Sequence, residues 1–147
     1  MSEIIIISFV LVIDQLSKYL VAEMGNINLS IIPHFFYITY AENTGMAWSL
    51  LEGQKVFFCL AAAAAIGVML YYLVTKNPSR LIRVSLALMI AGAAGNLIDR
   101  LVLGYVRDFL NFYIFGYDFP IFNVADSALC IGVALLILDS FLEKNDG

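Results

Sequence analysis

The chain has 147 residues, 62% of them hydrophobic and only 14% charged, where an ordinary soluble domain carries roughly 25% charged residues. With a mean hydropathy of +0.90, this composition excludes a soluble globular enzyme and fits an integral membrane protein. The net charge of −4 comes from 8 Lys and Arg against 12 Asp and Glu, scattered without a basic run or stripe, which excludes nucleic acid as a partner.

A helix needs ~20 mostly apolar residues to cross the hydrocarbon, and four segments come close: about 4–21, 56–74, 84–103 and 124–141. In the first, the run from Ile4 to Ile13 has the length of a signal-peptide core, but no Lys or Arg precedes it and no small-x-small site follows it. It reads as a retained span. The stretch from Gly25 to Tyr40 alternates Ile27, Leu29 and Ile31 with Asn28 and Ser30, and Pro33 then breaks the run before Phe35–Tyr40. That pattern predicts two short strands or a small sheet. Between the second and third spans, the loop from Thr75 to Arg83 holds Lys76, Arg80 and Arg83 with no acid. By the positive-inside rule it is cytoplasmic, and with an even number of spans both termini are too. Lys18, Lys55, Arg100 and Arg107 lie on the opposite side, but among carboxylates. There, the stretch from Tyr105 to Phe122 places eight aromatics in eighteen residues, which reads as an interfacial belt or as a platform for an acyl chain or peptide.

Cys59 and Cys130 both fall inside apolar stretches and read as buried free thiols acting as small hydrophobes. No C-x-x-C or H-E-x-x-H occurs and His34 stands alone, so neither a metal nor a cofactor is expected.

The carboxylates carry the functional signal. Asp14, Asp99, Asp108, Asp126 and Asp139 lie in apolar stretches or at their ends, where an ionised Asp costs on the order of 3 kcal/mol at the bilayer centre. Asp14 and Lys18 are one helical turn apart, as are Asn96 and Arg100 with Asp99 between them. Gly92 and Gly95 read as sites of close helix packing. Asn123 and Asp126 read as an N-cap and a first-turn acid of the last helix. Two carboxylates in contact cannot both ionise easily, so one keeps a proton, the other stays charged, and together they can activate water and polarise a carbonyl. Five acids pair in ten ways, and spacing does not choose among them.

Five blocks stand in order along the chain: Asp14-Gln15-Leu16-Ser17-Lys18, Asn43-Thr44-Gly45-Met46-Ala47-Trp48, Gly95-Asn96-Leu97-Ile98-Asp99-Arg100, Val106-Arg107-Asp108-Phe109 and Phe122-Asn123-Val124-Ala125-Asp126-Ser127. In these, from about Asp14 to Gly132, the chain closely resembles the lipoprotein signal peptidase family, also called signal peptidase II. The resemblance implies an intramembrane aspartic endopeptidase that removes signal peptides from diacylglyceryl-modified prolipoproteins just before the lipidated cysteine. It places the catalytic aspartates on Asp108 and Asp126, substrate-binding or supporting roles on Asn43, Gly45, Asn96, Arg100 and Asn123, and structural support on Asp14, Lys18 and Asp99, and it implies a first outward loop that forms a sheet cradling the substrate. Two departures stand out. Met46 and Trp48 replace a commoner small residue and Phe, and Arg107 precedes the expected catalytic Asp where an aliphatic or small residue is frequent. An adjacent cation favours the ionised form of Asp108, which leaves open which aspartate holds the shared proton.

The resulting expectation is an all-α integral membrane protein of one peptidase domain, 1–147, with four transmembrane helices, a small extracytoplasmic β-sheet and an aromatic-rich outer loop. It is a monomer of the bacterial cytoplasmic membrane, its active site near the outer face, its partners diacylglyceryl-prolipoproteins and membrane lipid. The rival readings are a small proton-coupled carrier, which ordinarily shows repeated halves that this chain lacks, and a non-catalytic membrane scaffold.

Overall fold

A computed structural model describes residues 2–45 and 53–145; Met46, Ala47 and Trp48 lie outside the described residues. The elements run α1 (Ser2–Glu23), β1 (Asn28–Ile32), β2 (Phe36–Asn43), α2 (Lys55–Lys76), α3 (Arg80–Val102), β3 (Val106–Ile114), β4 (Tyr117–Asp118) and α4 (Val124–Asn145). All four helices are long and apolar enough to cross a membrane.

The expected spans are present but α3 starts four residues before Val84, and the loop expected over Thr75–Arg83 shrinks to residues 77–79. Hydropathy falls where charge begins, but a helix ends where its backbone is capped. Asn77 adopts a left-handed conformation at φ 42° and closes α2, while the Ser79 hydroxyl accepts from the Ile82 amide and opens α3. Arg80 and Arg83 therefore sit in the first turn of α3, and Arg83 pairs with Glu3 of α1. The start of α1 and the α2–α3 turn thus share one end of the molecule.

The other end carries a four-stranded antiparallel sheet in the order β1-β2-β3-β4. The alternation over residues 27–31 correctly marks β1, but β3 lies within the stretch expected to be an aromatic loop. Polarity does not alternate along β3 because both faces are covered over much of its length, and a strand buried on both faces loses the period-2 signal. Its aromatic richness was the legible cue. The rings of Phe36, Phe112 and Phe122 stack at centroid spacings of 4.5 and 5.7 Å, with Phe119 edge-on to Phe122. Three of the expected belt or platform rings, with Phe36 of β2, thus tie the strands to the segment entering α4.

α3 is the central helix, contacting α1, α2 and α4, and it supplies half of the small apolar core among the described residues: Leu86, Ala87, Ile90, Ala91 and Ala93 are buried. α2 buries none of its residues and presents apolar side chains outward along its length. Such a surface suits lipid and not water. Small residues bring α3 against its neighbours, as expected for Gly92 and Gly95. A Cβ on Gly95 would fall 2.6 Å from Asp14 Oδ2 and 3.2 Å from Ala125 Cβ, and one on Gly92 would meet the Ala125 carbonyl. The thiols differ from expectation: Cys130 is exposed on α4 and Cys59 only half-buried. In a thin bundle much of each helix faces outward, so an apolar stretch does not imply a buried residue.

Candidate active site

Asp108 is delivered by a strand. It lies opposite Ala41 in the β2–β3 pairing, so Asn43, two residues along β2 on the same face, reaches it diagonally. Asn43 Nδ2 donates to Asp108 Oδ2 at 2.9 Å, and Asn123 Nδ2 donates to Asp108 Oδ1 at 2.6 Å. Asn43 Oδ1 in turn accepts from the Gly45 amide at 2.9 Å, folding the chain back beside the site.

Asp126 is delivered by the first turn of α4. The expected capping holds and is reciprocal: Asn123 Oδ1 accepts from the Asp126 amide at 2.9 Å, and Asp126 Oδ2 accepts from the Asn123 amide at 3.2 Å. Asp126 Oδ1 accepts from Asn96 Nδ2 at 2.7 Å. One fully buried residue, Asn123, therefore touches both carboxylates, and it is also joined to Asn96 Oδ1 at 3.2 Å. Among the described residues, each of the four carboxylate oxygens has one neutral donor.

Beneath this pair lies a buried ionic layer. Lys18 Nζ contacts Asp14 Oδ2 at 2.9 Å, Asn96 Oδ1 at 3.0 Å and Asp99 Oδ2 at 3.5 Å, with all three charged side chains fully buried. Asp14 Oδ1 also accepts from the Ala125 amide at 2.8 Å, fastening α1 to the start of α4. Gln15 and Arg107 complete the layer. Arg107 donates from Nη2 to Asp99 Oδ1 at 2.7 Å and to Gln15 Oε1 at 3.1 Å, and from Nε and its backbone amide to Asp99 Oδ2. Sequence reasoning assigned Gln15 no role, although it lies in the first block beside Asp14.

The expected influence of Arg107 on Asp108 is overturned. Successive strand residues point to opposite faces, and the Arg107 guanidinium is taken up by Asp99, whose hydrogen bonds raise its pKa above the ordinary value. Burial and the nearby Asp126 carboxylate push the Asp108 pKa up to about 7, against the opposing hydrogen bonds from Asn43 and Asn123. The neighbouring cation thus does not hold Asp108 below the ordinary carboxylate range.

Asp108 and Asp126 line a cleft of about 460 Å³ with Asn43, Gly45, Asn96 and Arg100. Phe58 of α2 and Leu129 of α4 flank it, and residues 119–122 form a further wall. Arg100 crosses the cleft, donating to the Gly45 carbonyl at 3.1 Å and lying 4.9 Å from the centre of the Phe58 ring. Of the ten possible pairings among five acids, the fold thus brings Asp108 and Asp126 to one cleft. It places Asp14 and Asp99 around Lys18 and sends Asp139 to the far end, where it accepts from Ser79 at 2.9 Å. Among the described residues, no group of three or more His, Cys, Asp or Glu is arranged to hold a metal ion.

Residues 6–142 match the family described as Signal peptidase (SPase) II. The lipoprotein signal peptidase of Staphylococcus aureus strain JH9 is 42% identical over 140 residues, covering 93% of this chain and 86% of that protein. A bacterial membrane enzyme solved by the in meso method at 2.3 Å resolution superposes with a TM-score of 0.93 at 38% identity, covering 99% of this chain and 90% of that one. A second, at 1.9 Å resolution, gives 0.86 at 40% identity, with 94% and 91% covered. A match of this length, carried on the same fold, makes the chain a member of the signal peptidase II family, a peptidase of bacterial membranes.

Proposed function

We propose that the chain is an aspartic endopeptidase that removes signal peptides from diacylglyceryl-modified prolipoproteins, cutting just before the lipidated cysteine, with Asp108 and Asp126 as its dyad. The observation that carries this reading is Asn123. It binds Asp108 through its side chain and Asp126 through its backbone amide, so two carboxylates from different elements face one cleft.

Charge balance supports a single shared proton. Asp14, Asp99, Asp108 and Asp126 stand against Lys18, Arg100 and Arg107 in and beneath the cleft. One proton on the dyad makes the set neutral, as a low-dielectric site requires. The ionised carboxylate takes a proton from water as its oxygen attacks the scissile carbonyl, and the protonated partner gives its proton to the carbonyl oxygen. Collapse of the resulting gem-diol breaks the C–N bond. The carboxyl that took the water proton then gives a proton to the departing amine, and the other recovers one from the diol hydroxyl. Asn43, Asn96 and Asn123 orient the two acids, and Arg100 with Gly45 lies where a substrate backbone passes. In this reading Asp14 and Asp99 are scaffold.

The cleft lies at the end opposite the Glu3–Arg83 pair, in keeping with cytoplasmic termini and an active site at the outer face of the cytoplasmic membrane. Phe58 and Leu129 flank it from helices with largely apolar outward faces, so a signal helix lying in lipid reaches it laterally and the diacylglyceryl tails stay in the bilayer. The protein works as a single-domain monomer. The deciding experiment compares one precursor with and without its diacylglyceryl group in the same detergent: only the lipidated form is cleaved, and equal rates sink the lipid requirement.

A further inference from the structure

We propose that Lys18 is a positioning residue of the peptidase, which locks the Asn96 carboxamide with its nitrogen toward Asp126. The inference rests on the dyad reading above and goes beyond the structural support that the family resemblance implies for Lys18.

The argument begins with donor and acceptor inventories. An ammonium group donates and never accepts, whereas a carboxamide has one donating and one accepting end. Lys18 Nζ lies 3.0 Å from Asn96 Oδ1, so the oxygen end of Asn96 must face α1. The nitrogen end then faces α4 and donates to Asp126 Oδ1 at 2.7 Å. Turned over, the same amide would set NH₂ against NH₃⁺ and a carbonyl oxygen against a carboxylate. The other amide needs no such lock, because the Asp126 backbone amide already fixes Asn123 Oδ1 through the helix cap. With its oxygen so placed, Asn123 turns its nitrogen to Asp108 and to Asn96 Oδ1. Two donors thus hold the oxygen end of Asn96, the charged and nearer Lys18 Nζ at 3.0 Å and the neutral Asn123 Nδ2 at 3.2 Å, and Lys18 is the one that comes from outside the cap.

Simple ion pairing does not account for the arrangement. Asp99 already has Arg107 at 2.7 Å, and Asp14 has the Ala125 amide and Gln15 as donors. Lys18 stands fully buried between these acids on one side and Asn96 on the other, and Asn96 is its sole link to Asp126 among the described hydrogen bonds.

The test compares Lys18→Met with Lys18→Gln on a diacylated precursor. Both side chains are of similar length and neutral, and both leave the same acids without their cation. Gln retains a donor at position 18 for Asn96 Oδ1, whereas Met leaves that oxygen with Asn123 Nδ2 alone among the described donors. Since misplacing a reacting group by about 1 Å can cost ~100-fold, Lys18→Met is expected to lower kcat roughly 30-fold with KM changed less than about threefold, and Lys18→Gln to retain at least about five times the kcat of the Met variant. Thermal midpoints in detergent check that the two are equally folded. If either fails to insert, Asp14→Asn is added to both to relieve the uncompensated acid, and the Gln-to-Met ratio is read in that background. Equal kcat for Gln and Met, or a loss confined to KM, overturns the positioning role. Failure of the parent enzyme to cleave, or turnover by Asp108→Asn, instead overturns the dyad reading.

Discussion

Arg107 clamps Asp99 at three points: two guanidinium nitrogens and the Arg107 backbone amide all bind one fully buried carboxylate. The clamp pins the strand residue before Asp108 to the last turns of α3. The register of the β3 carboxylate relative to α4 is thereby fixed from beneath the cleft.

Replacing Arg107 tests what that clamp does. Arg107→Leu is expected to cost about 3 kcal/mol of stability, because removing one partner of a buried pair strands the other. It should leave the pH dependence of the remaining activity nearly unchanged, since Asp99 already neutralises the cation. Thermal melts and a pH–rate profile measure the two separately, and a shift of the profile by a full unit would show that Arg107 acts on Asp108 directly.

Substitution of the dyad should abolish chemistry and spare the fold. Asp108→Asn and Asp126→Asn are each expected to lower cleavage by at least ~1,000-fold, because proton transfer by a positioned carboxyl contributes up to about four orders of magnitude and an amide supplies none. Membrane insertion and yield should match the parent. Appreciable turnover by either variant removes that residue from the reaction, and restoration of an EDTA-treated enzyme by zinc would point to a metal mechanism instead.

The raised pKa of Asp108 has a sign that can be checked. Its folded value of about 7 lies above the ordinary 3.8, so between those values the folded protein holds a proton that the unfolded chain releases. Stability attributable to this group is therefore present at pH 4 and is lost as pH rises through 7. The difference in melting temperature between pH 5 and pH 8 should be smaller in Asp108→Asn than in the parent. Activity should decline above about pH 7, as the shared proton leaves the dyad. Identical pH slopes for both proteins would contradict the assignment.

Close packing beneath the site can be tested at a glycine. Gly95→Ala places a methyl group 2.6 Å from Asp14 Oδ2 and against Ala125, and is expected to destabilise by about 1–3 kcal/mol, as overpacked cores do. Gly67→Ala, which meets nothing within 4 Å, serves as the control. Equal melting temperatures for the two variants would mean that α1 and α4 shift apart without cost.

Orientation is open to labelling. Asp118→Cys on exposed β4 should react with an impermeant thiol reagent in intact cells, and Lys76→Cys at the end of α2 should react only after lysis. The reverse pattern inverts the topology and places the dyad on the wrong face for a lipoprotein peptidase.

Hydropathy alone marked the four spans, because ~20 apolar residues have few ways to be satisfied other than in lipid. Local chemistry marked the Asn123–Asp126 cap and the turn-spaced Asp14–Lys18 pair, since both are contacts between near neighbours in sequence. What sequence spacing could not decide was which acids meet. The approach of Asp108 to Asp126 depends on β3 pairing with β2, which separates the contacting Asn43 and Asp108 by 65 residues. The ionic layer depends on α1 meeting α3, with Lys18 and Asn96 separated by 78. Motif resemblance named the residues on both sides of these contacts, but only the tertiary structure turned Arg107 away from Asp108 and onto Asp99. It did so because a strand sends alternate side chains to opposite faces, and a buried guanidinium must find its carboxylate on the face it is given.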